Sequence, residues 1–215
     1  MRILIMKTTL LSLSIIIHIF LTPFSISGQY NSIVSIGDAM PEFNNLPSIS
    51  GDSISSADLK EDIVVFVSLA NHCPWVRGMD KDLVALSEQF KNDSVQIIAF
   101  SVNHREDDRL PAMVKHAKKV GYTFEYIYDE SQQLGRELGA TRTPEYFVYN
   151  KDRKLVYMGA IHDSPAKMKN DGTIKHINGE PQDFHVEHAI QSTLAGKDFI
   201  PKETRAHGCS VKYVQ

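Results

Sequence analysis

Cysteine is scarce in this 215-residue chain, in which Cys73 and Cys209 are the only two. That number excludes a fold held together by several internal disulfides and allows at most one. A domain of this size buries enough apolar surface to fold without a crosslink. The two thiols are therefore open to redox chemistry, and a single structural disulfide is the alternative.

A surplus of basic residues is also lacking. The chain has 23 Lys and Arg residues against 26 Asp and Glu residues, a formal net charge of −3. Such a balance does not favour nucleic acid or an anionic membrane surface as a partner. Internal repeats and low-complexity tracts are absent from the sequence as well. The chain is therefore interpreted as a single folded domain behind its N-terminal segment.

Long apolar runs are limited to one, over residues 8–24. Two basic residues precede it and small residues follow it, a pattern that predicts a secretory signal peptide over residues 1–28, cut after Ser27 or Gly28. An uncleaved anchor is the alternative, because the run approaches the ~20 residues that span a bilayer. Either way the protein is expected to be exported, to the periplasm or the extracellular space. Cleavage would leave residues 29–215 as a domain of net charge −5 with no membrane partner.

Hydrophobic periodicity alternates between strand-like and helix-like segments. Continuous β-branched and apolar runs predict strands at residues 63–70, 95–102, 124–129, 143–150 and 153–160. Apolar residues at steps of three and four predict helices at residues 75–91, 108–120, 131–139 and 184–195. The polar stretch between the last strand and the last helix, residues 161–182, is expected to be a long loop. This order predicts an α/β fold with a mixed β-sheet flanked by helices.

Cys73 lies where the first predicted strand passes into the first predicted helix. Unpaired N–H groups and the positive end of the helix dipole favour a thiolate at that position, and the thiolate is the reactive form of cysteine. Pro74 suits the first helical position. His72 could add positive charge when it is protonated, or it could be a solvent-facing residue at the helix start.

Several segments resemble the thioredoxin-like redoxins, the AhpC/TSA or peroxiredoxin-like family. The resemblance runs from about Ile36 to the C-terminus and is carried by "IGDAMPEFNNLP", "DLKEDIVVFVSLANHCPWV", "RTPEYFVY" and "YMGAIHD". The closing "GCSVKY" is similar to the tail of peroxiredoxin-like secreted proteins with a lone cysteine at the helix start. The resemblance implies a thioredoxin fold and a thiol-based redox role.

Two departures from the family patterns narrow the chemistry. Val76 stands where thioredoxins carry a second cysteine, so a disulfide between neighbours on the first helical turn is impossible. Phe66 and Ala70 stand where peroxiredoxins carry a proline and a Thr or Ser. The hydroxyl that helps to seat a peroxide in those enzymes is therefore missing.

The resemblance also implies roles for residues near Cys73. Pro144, which follows Thr143, matches the cis-proline that faces the reactive cysteine in thioredoxin-like proteins; otherwise it is a turn proline that opens a strand. Arg142 could approach the sulfur and favour an anionic form, or it could be a surface arginine. Trp75, the only tryptophan, could cover the active-site face or simply pack on the helix.

Cys209 is the only other thiol and lies in a tail that looks flexible. Gly208 permits unusual backbone conformations, which would help the tail to fold back onto the domain. Cys209 could then form a disulfide with Cys73, either as a resolving step or as a static crosslink. It could also pair between chains or stay a free surface thiol.

These observations predict an exported thiol-dependent oxidoreductase without a cofactor, acting in thiol–disulfide exchange or hydroperoxide reduction and in cell redox homeostasis. Its predicted partners are a disulfide or hydroperoxide substrate and a thiol reductant. The alternatives are a non-catalytic binding protein in which Cys73 is inert and buried, and a metal-handling protein. His185 and His188, three residues apart at a helix start, prompt the metal hypothesis. The wide spacing of the other histidines argues against it, and no metal is predicted.

Overall fold

The computed structural model describes residues 29–214, so the predicted signal peptide at residues 1–28 lies outside the described part of the chain. The elements follow one another in the order β1 (Leu46–Pro47), β2 (Ser53–Ile54), β3 (Ile63–Ser68), α1 (Pro74–Gln89), β4 (Val95–Ser101), α2 (Leu110–Val120), β5 (Glu125–Tyr128), α3 (Gln133–Glu137), β6 (Arg142–Thr143), β7 (Glu145–Tyr149), β8 (Leu155–Gly159), β9 (Ala166–Met168), β10 (Ile174–His176), α4 (His185–Leu194) and β11 (Cys209–Ser210).

A five-stranded mixed sheet in the order β5-β4-β3-β7-β8 forms the centre of the domain. Strands β3, β4 and β5 are parallel, whereas β7 and β8 run as an antiparallel hairpin beside β3. Every residue of β3 and of β7 is buried, because apolar clusters cover both faces of the sheet. This burial explains why both strands read as continuous apolar runs rather than as alternating ones. The predicted α/β class with a mixed sheet is confirmed.

Helix α1 packs one apolar stripe against the sheet. Its buried side chains include Val76, Met79, Leu83 and Leu86, the spacing that predicted the helix. Pro74 occupies the first turn, where a missing N–H removes no intrahelical bond. The sequence prediction of residues 75–91 therefore differs from the observed helix by one or two residues at each end.

The stretch predicted as a long polar loop, residues 161–182, contains the antiparallel β9–β10 hairpin. The hairpin packs so closely on α1 that a Cβ added at Gly78 would lie 2.4 Å from the carbonyl oxygen of Ala166. Strands of three residues carry too few apolar side chains for a sequence pattern to reveal them. Contact with α1, rather than intrinsic propensity, holds this hairpin in place.

The C-terminal tail was expected to be flexible, and the structure shows it fixed along the domain. Strand β11 pairs with β6. Beyond it, the Tyr213 hydroxyl donates to the Ala140 carbonyl oxygen at 2.7 Å, and the Arg136 guanidinium lies 4.6 Å from the centre of the Tyr213 ring. The Gln132 side-chain amide donates to the Lys212 carbonyl oxygen at 3.0 Å. These contacts join the tail to residues 132–140 through polar groups. A hydrophobic pattern in the sequence could therefore not predict them.

None of the helices within residues 29–214 is long and apolar enough to cross a membrane.

Candidate active site

Cys73 is the residue that immediately precedes α1, as the sequence predicted. Its backbone carbonyl accepts the bond from the Arg77 N–H at 3.0 Å, which starts the helix. The side chain is fully buried, with 0% of its surface exposed. Its thiol donates a hydrogen bond to the Thr143 carbonyl oxygen at 3.1 Å. Cys73 therefore lies at the positive end of the helix dipole, and its sulfur is directed at the loop before β7.

The Thr143–Pro144 peptide bond is cis, as the resemblance implied for Pro144. Because the Thr143 carbonyl accepts the Cys73 thiol bond, the cis-proline segment faces the cysteine. Thr143 is itself buried, and so is Glu145. The Glu145 carboxylate accepts the backbone N–H groups of Thr141 at 2.7 Å and Arg142 at 3.0 Å, which fixes the shape of this loop.

Cys209 reaches the same loop from the tail. In the β6–β11 pairing its Cα partner is Thr143, the residue whose carbonyl binds the Cys73 thiol. Both cysteines are free thiols, and Cys209 is less buried than Cys73. Thr143 thus lies in contact with one cysteine through its carbonyl and beside the other through the strand pair.

Gly208 is needed at this point for a different reason from the one expected. A Cβ at this residue would lie 2.2 Å from the Thr143 carbonyl oxygen and 2.6 Å from the carbonyl carbon. The absence of a side chain therefore lets the tail approach the loop closely. Conformational freedom is not what the site requires of this glycine.

The two thiols interact electrostatically. Burial, a hydrogen bond with Cys73 and the charge of Cys73 raise the pKa of Cys209 to about 12, against a smaller opposing effect of Lys167. Cys209 therefore keeps its proton near neutral pH.

His72 is paired rather than simply solvent-facing. Its Nδ1 lies 2.6 Å from Oδ2 of Asp108, and its backbone N–H donates to Oδ1 of the same carboxylate at 3.2 Å. Asp108 is fully buried, and its backbone carbonyl accepts the Ser101 hydroxyl at 3.0 Å. This carboxylate fixes the residue that precedes Cys73. Sequence reasoning missed Asp108, because nothing in the acidic run at residues 106–108 distinguishes the buried member from its neighbours.

Trp75 is partly buried and packs against the core beneath it. On its other sides its ring lies 6.3 Å from the His207 ring, and the Lys167 ammonium lies 6.0 Å from the ring centre. Burial is the main cause that lowers the pKa of His207, and Arg205 and Arg142 contribute to the shift. Trp75 thus joins the helix start, the β9–β10 hairpin and the tail. Lys167 was missed because it comes from the stretch interpreted as a loop.

The Arg142 guanidinium donates to the Ser210 hydroxyl across the β6–β11 pair. The contact found for this side chain is therefore with the tail. The three residues at which the sequence departs from the family patterns lie in the core, because Phe66, Ala70 and Val76 are all buried. Helix α1 carries no cysteine, and Cys209 reaches the loop from the C-terminal tail.

Comparison with known proteins agrees with this geometry. The model of the AhpC/TSA family matches residues 36–158, more than half of the chain. The chain belongs to the AhpC/TSA family. The match includes Cys73 and Pro144 and ends well before Cys209, so the family match by itself gives no role to the tail cysteine of this AhpC/TSA protein.

No curated protein matches the chain. Among solved structures, the protein is similar to an uncharacterized conserved protein from Geobacillus kaustophilus, with 28% identity and a TM-score of 0.74 over 86% of this chain and 95% of that one. A hypothetical protein from Sinorhizobium meliloti 1021 has 24% identity and a TM-score of 0.73 over 84% and 96%. A thiol:disulfide interchange protein of the thioredoxin family from Chlorobium tepidum TLS has 17% identity and a TM-score of 0.53 over 75% and 99%. The last two matches show the fold alone, which is thioredoxin-like.

The histidines that prompted the metal hypothesis both lie beside the Asp183 carboxylate. His188 Nδ1 lies 3.0 Å from Asp183, and His185 Nδ1 lies 3.4 Å from the other oxygen of the same side chain. Burial is the main cause that lowers the pKa of His185. Within residues 29–214, no group of three or more His, Cys, Asp or Glu side chains is placed to hold a metal ion.

Proposed function

We propose that this AhpC/TSA protein is an exported thiol–disulfide oxidoreductase whose redox pair is Cys73 and Cys209. The observation that carries the proposal is that both cysteines meet at Thr143, one through its carbonyl and one through its strand partner. The pairing supplies from the tail the second thiol that thioredoxins carry on the helix.

The proposed reaction has two steps. The Cys73 thiolate attacks one sulfur of a substrate disulfide, the substrate S–S bond breaks, and the released thiolate takes up a proton. Cys209 then loses its proton and attacks the Cys73 sulfur of the mixed disulfide. The second substrate thiol leaves, and a Cys73–Cys209 disulfide forms. The substrate gains two electrons that the protein dithiol loses, and two equivalents of a thiol reductant return the protein to its starting state.

The environments of the two sulfurs support this order of attack. Cys73 lies at a helix start, beside the unpaired backbone N–H groups of the first turn of α1. Burial, followed by the interactions with Cys73, raises the pKa of Cys209, so this thiol is protonated while Cys73 attacks; conversion of Cys73 into a mixed disulfide removes the contribution of the Cys73 charge. Since Cys73 has no exposed surface in the dithiol form, its side chain or the groups that cover it must move before a substrate reaches the sulfur.

Mass spectrometry with two oxidants tests the proposal. The reduced protein is mixed with 2-hydroxyethyl disulfide or with a hydroperoxide, quenched with acid and mapped without reduction, and steady-state turnover is followed with dithiothreitol as reductant. The disulfide should yield a Cys73–Cys209 peptide. Cys73→Ser should abolish turnover, Cys209→Ser should accumulate a mixed disulfide on Cys73, and the control Ser53→Ala, at an exposed serine of β2, should turn over normally.

Full turnover by Cys73→Ser would refute the proposal. Turnover with the hydroperoxide alone would replace it by hydroperoxide reduction, in which Cys73 passes through a sulfenic acid and Cys209 displaces water. Unreactive thiols in the folded protein would favour a binding protein without catalysis.

Export is the second part of the proposal, and its support is the charged and apolar pattern of residues 1–28. N-terminal sequencing of protein recovered from the periplasm or medium of a bacterial host should give a chain that begins at Gly28 or Gln29. A protein retained inside the cell with an intact Met1 would contradict it.

A further inference from the structure

A shallow surface cavity of about 340 Å³, widely open to solvent, lies beside the residues that lead into Cys73. Its polar lining residues are Asn71, His72, Arg77, Asp107, Lys115, His116 and Lys119. Because His72 directly precedes Cys73, the cavity adjoins the candidate active site.

Three of the lining side chains carry positive charge that no described residue neutralises. Arg77 comes from the first turns of α1, and Lys115 and Lys119 come from α2. The two lysines are four residues apart, so they lie on one face of their helix. All three are exposed, and none of their charged groups has an ion pair or hydrogen bond with another residue in the range 29–214.

Asp107 and His72 of the lining already have partners, whereas Nε2 of His116 has no hydrogen-bond partner among the described residues. The Asp107 carboxylate is paired with Arg105 at 3.0 Å. His72 lies 2.6 Å from Asp108. The remaining lining histidine, His116, lies 3.4 Å from Asp80. The cavity is therefore a local concentration of positive charge in a chain whose overall charge is −3.

A fourth cation lies near Trp75 and Cys209. Lys167 is exposed, its ammonium lies 6.0 Å from the centre of the Trp75 ring, and its charge acts on Cys209. Positive charge therefore lies beside His72, which precedes Cys73, and also near Cys209.

We infer that this basic cavity binds the acidic groups of a low-molecular-weight disulfide, and that the substrate of the protein carries carboxylates. The inference rests on the proposed thiol–disulfide exchange and adds the chemical class of the substrate. Carboxylates would be held by Arg77 and the two lysines, with the disulfide directed past His72 toward Cys73. Arginine and lysine suit this role because both donate charge-assisted hydrogen bonds to carboxylate oxygens.

Three symmetrical disulfides of similar size test the inference. They are 3,3′-dithiodipropionate, which is a dianion, 2-hydroxyethyl disulfide, which is neutral, and cystamine, which is a dication. The rate of oxidation of the reduced protein by each disulfide is divided by the rate at which the same disulfide oxidises a small reference thiol. This normalised rate should be highest with the dianion and lowest with the dication. The spread should shrink at about 0.15 M salt, where charges are screened beyond roughly 8 Å. Equal normalised rates for the three would overturn the inference.

Charge removal on α2 locates the effect. Lys115→Gln and Lys119→Gln should each reduce the preference for the dianion over the neutral disulfide about threefold, the expected loss of one unscreened charge pair several ångströms apart in water. Lys118→Gln is the matched control, because Lys118 is an exposed lysine on the same helix and does not line the cavity. An equal loss of preference in the control would overturn the inference.

A binding measurement separates this inference from the proposed function. In a Cys73→Ser/Cys209→Ser protein, titration with 3,3′-dithiodipropionate should shift the backbone amide resonances of residues 112–119, and cystamine should not. Shifts without any turnover in the wild-type protein would support the cavity and refute the proposed function. Turnover without such shifts would support the proposed function and overturn the inference that the cavity binds carboxylates.

Discussion

Replacing Gly208 by alanine tests whether the close approach of the tail to Thr143 holds Cys209 beside Cys73. The substitution adds one methyl group and changes neither sulfur. The added Cβ would lie 2.2 Å from the Thr143 carbonyl oxygen, whereas ordinary contacts of this kind begin at 3.4 Å. The tail must therefore retreat by about 1 Å, since the atoms on the other side belong to the backbone.

Overpacking of this kind costs about 1–3 kcal/mol. Domains are typically stable by about 5–15 kcal/mol, so the variant should still fold. The cost falls on the arrangement in which Cys209 lies beside Cys73, because detachment of the tail relieves the overlap. At about 1.4 kcal/mol for each tenfold change in rate, closure of the Cys73–Cys209 disulfide should slow by about 5- to 150-fold.

The assay follows closure by acid quenching and peptide mapping after the reduced protein is mixed with 2-hydroxyethyl disulfide. The control is Gly51→Ala, at a turn residue with a φ of +94° and no neighbouring atom within 4 Å. That change strains the backbone without touching the tail, so closure should keep its wild-type rate. If Gly208→Ala also closes at the wild-type rate, the reasoning that places the second thiol through this contact is refuted.

Three further outcomes follow from the cysteine pair and its tail. The oxidised protein should have a free energy of unfolding in urea up to about 5 kcal/mol higher than that of the reduced protein. The reason is that the crosslink closes a loop of 136 residues (209 − 73) in the unfolded chain. Equal free energies of unfolding would show that strain in the folded disulfide cancels this gain. In Cys73→Ala the pKa of Cys209 should fall, because Cys73 contributes to raising it. Alkylation of Cys209 by iodoacetamide should then reach its half-maximal rate at a lower pH than in the wild type. An unchanged midpoint would contradict the interaction between the two thiols. Tyr213→Phe removes the hydrogen bond from the Tyr213 hydroxyl to the Ala140 carbonyl oxygen. Its free energy of unfolding in urea titrations should be lower by about 1 kcal/mol. The control Tyr30→Phe, at an exposed tyrosine, should leave the free energy of unfolding unchanged.

Local patterns in the sequence were sufficient for the fold class and for the position of Cys73. The apolar run of β3 and the helical spacing from Val76 onward each depend on neighbours within a few residues, so the passage from strand to helix at Cys73 could be read directly. The Thr143–Pro144 segment was recognised by its resemblance to a family, and the structure places it against Cys73.

Tertiary structure alone decided what surrounds that cysteine. Asp108 became the partner of His72, and Lys167 came beside Trp75, because the β4–α2 connection and the β9–β10 hairpin both pack against the start of α1. Cys209 came to lie opposite Thr143 through a two-residue strand pair between positions more than sixty residues apart. Such contacts depend on backbone hydrogen bonds and on the close approach that Gly208 allows, and neither leaves a periodic pattern of side chains. The sequence therefore indicated that Cys73 would lie at the start of a helix, and only the folded chain could bring the segment of Cys209 to the same loop.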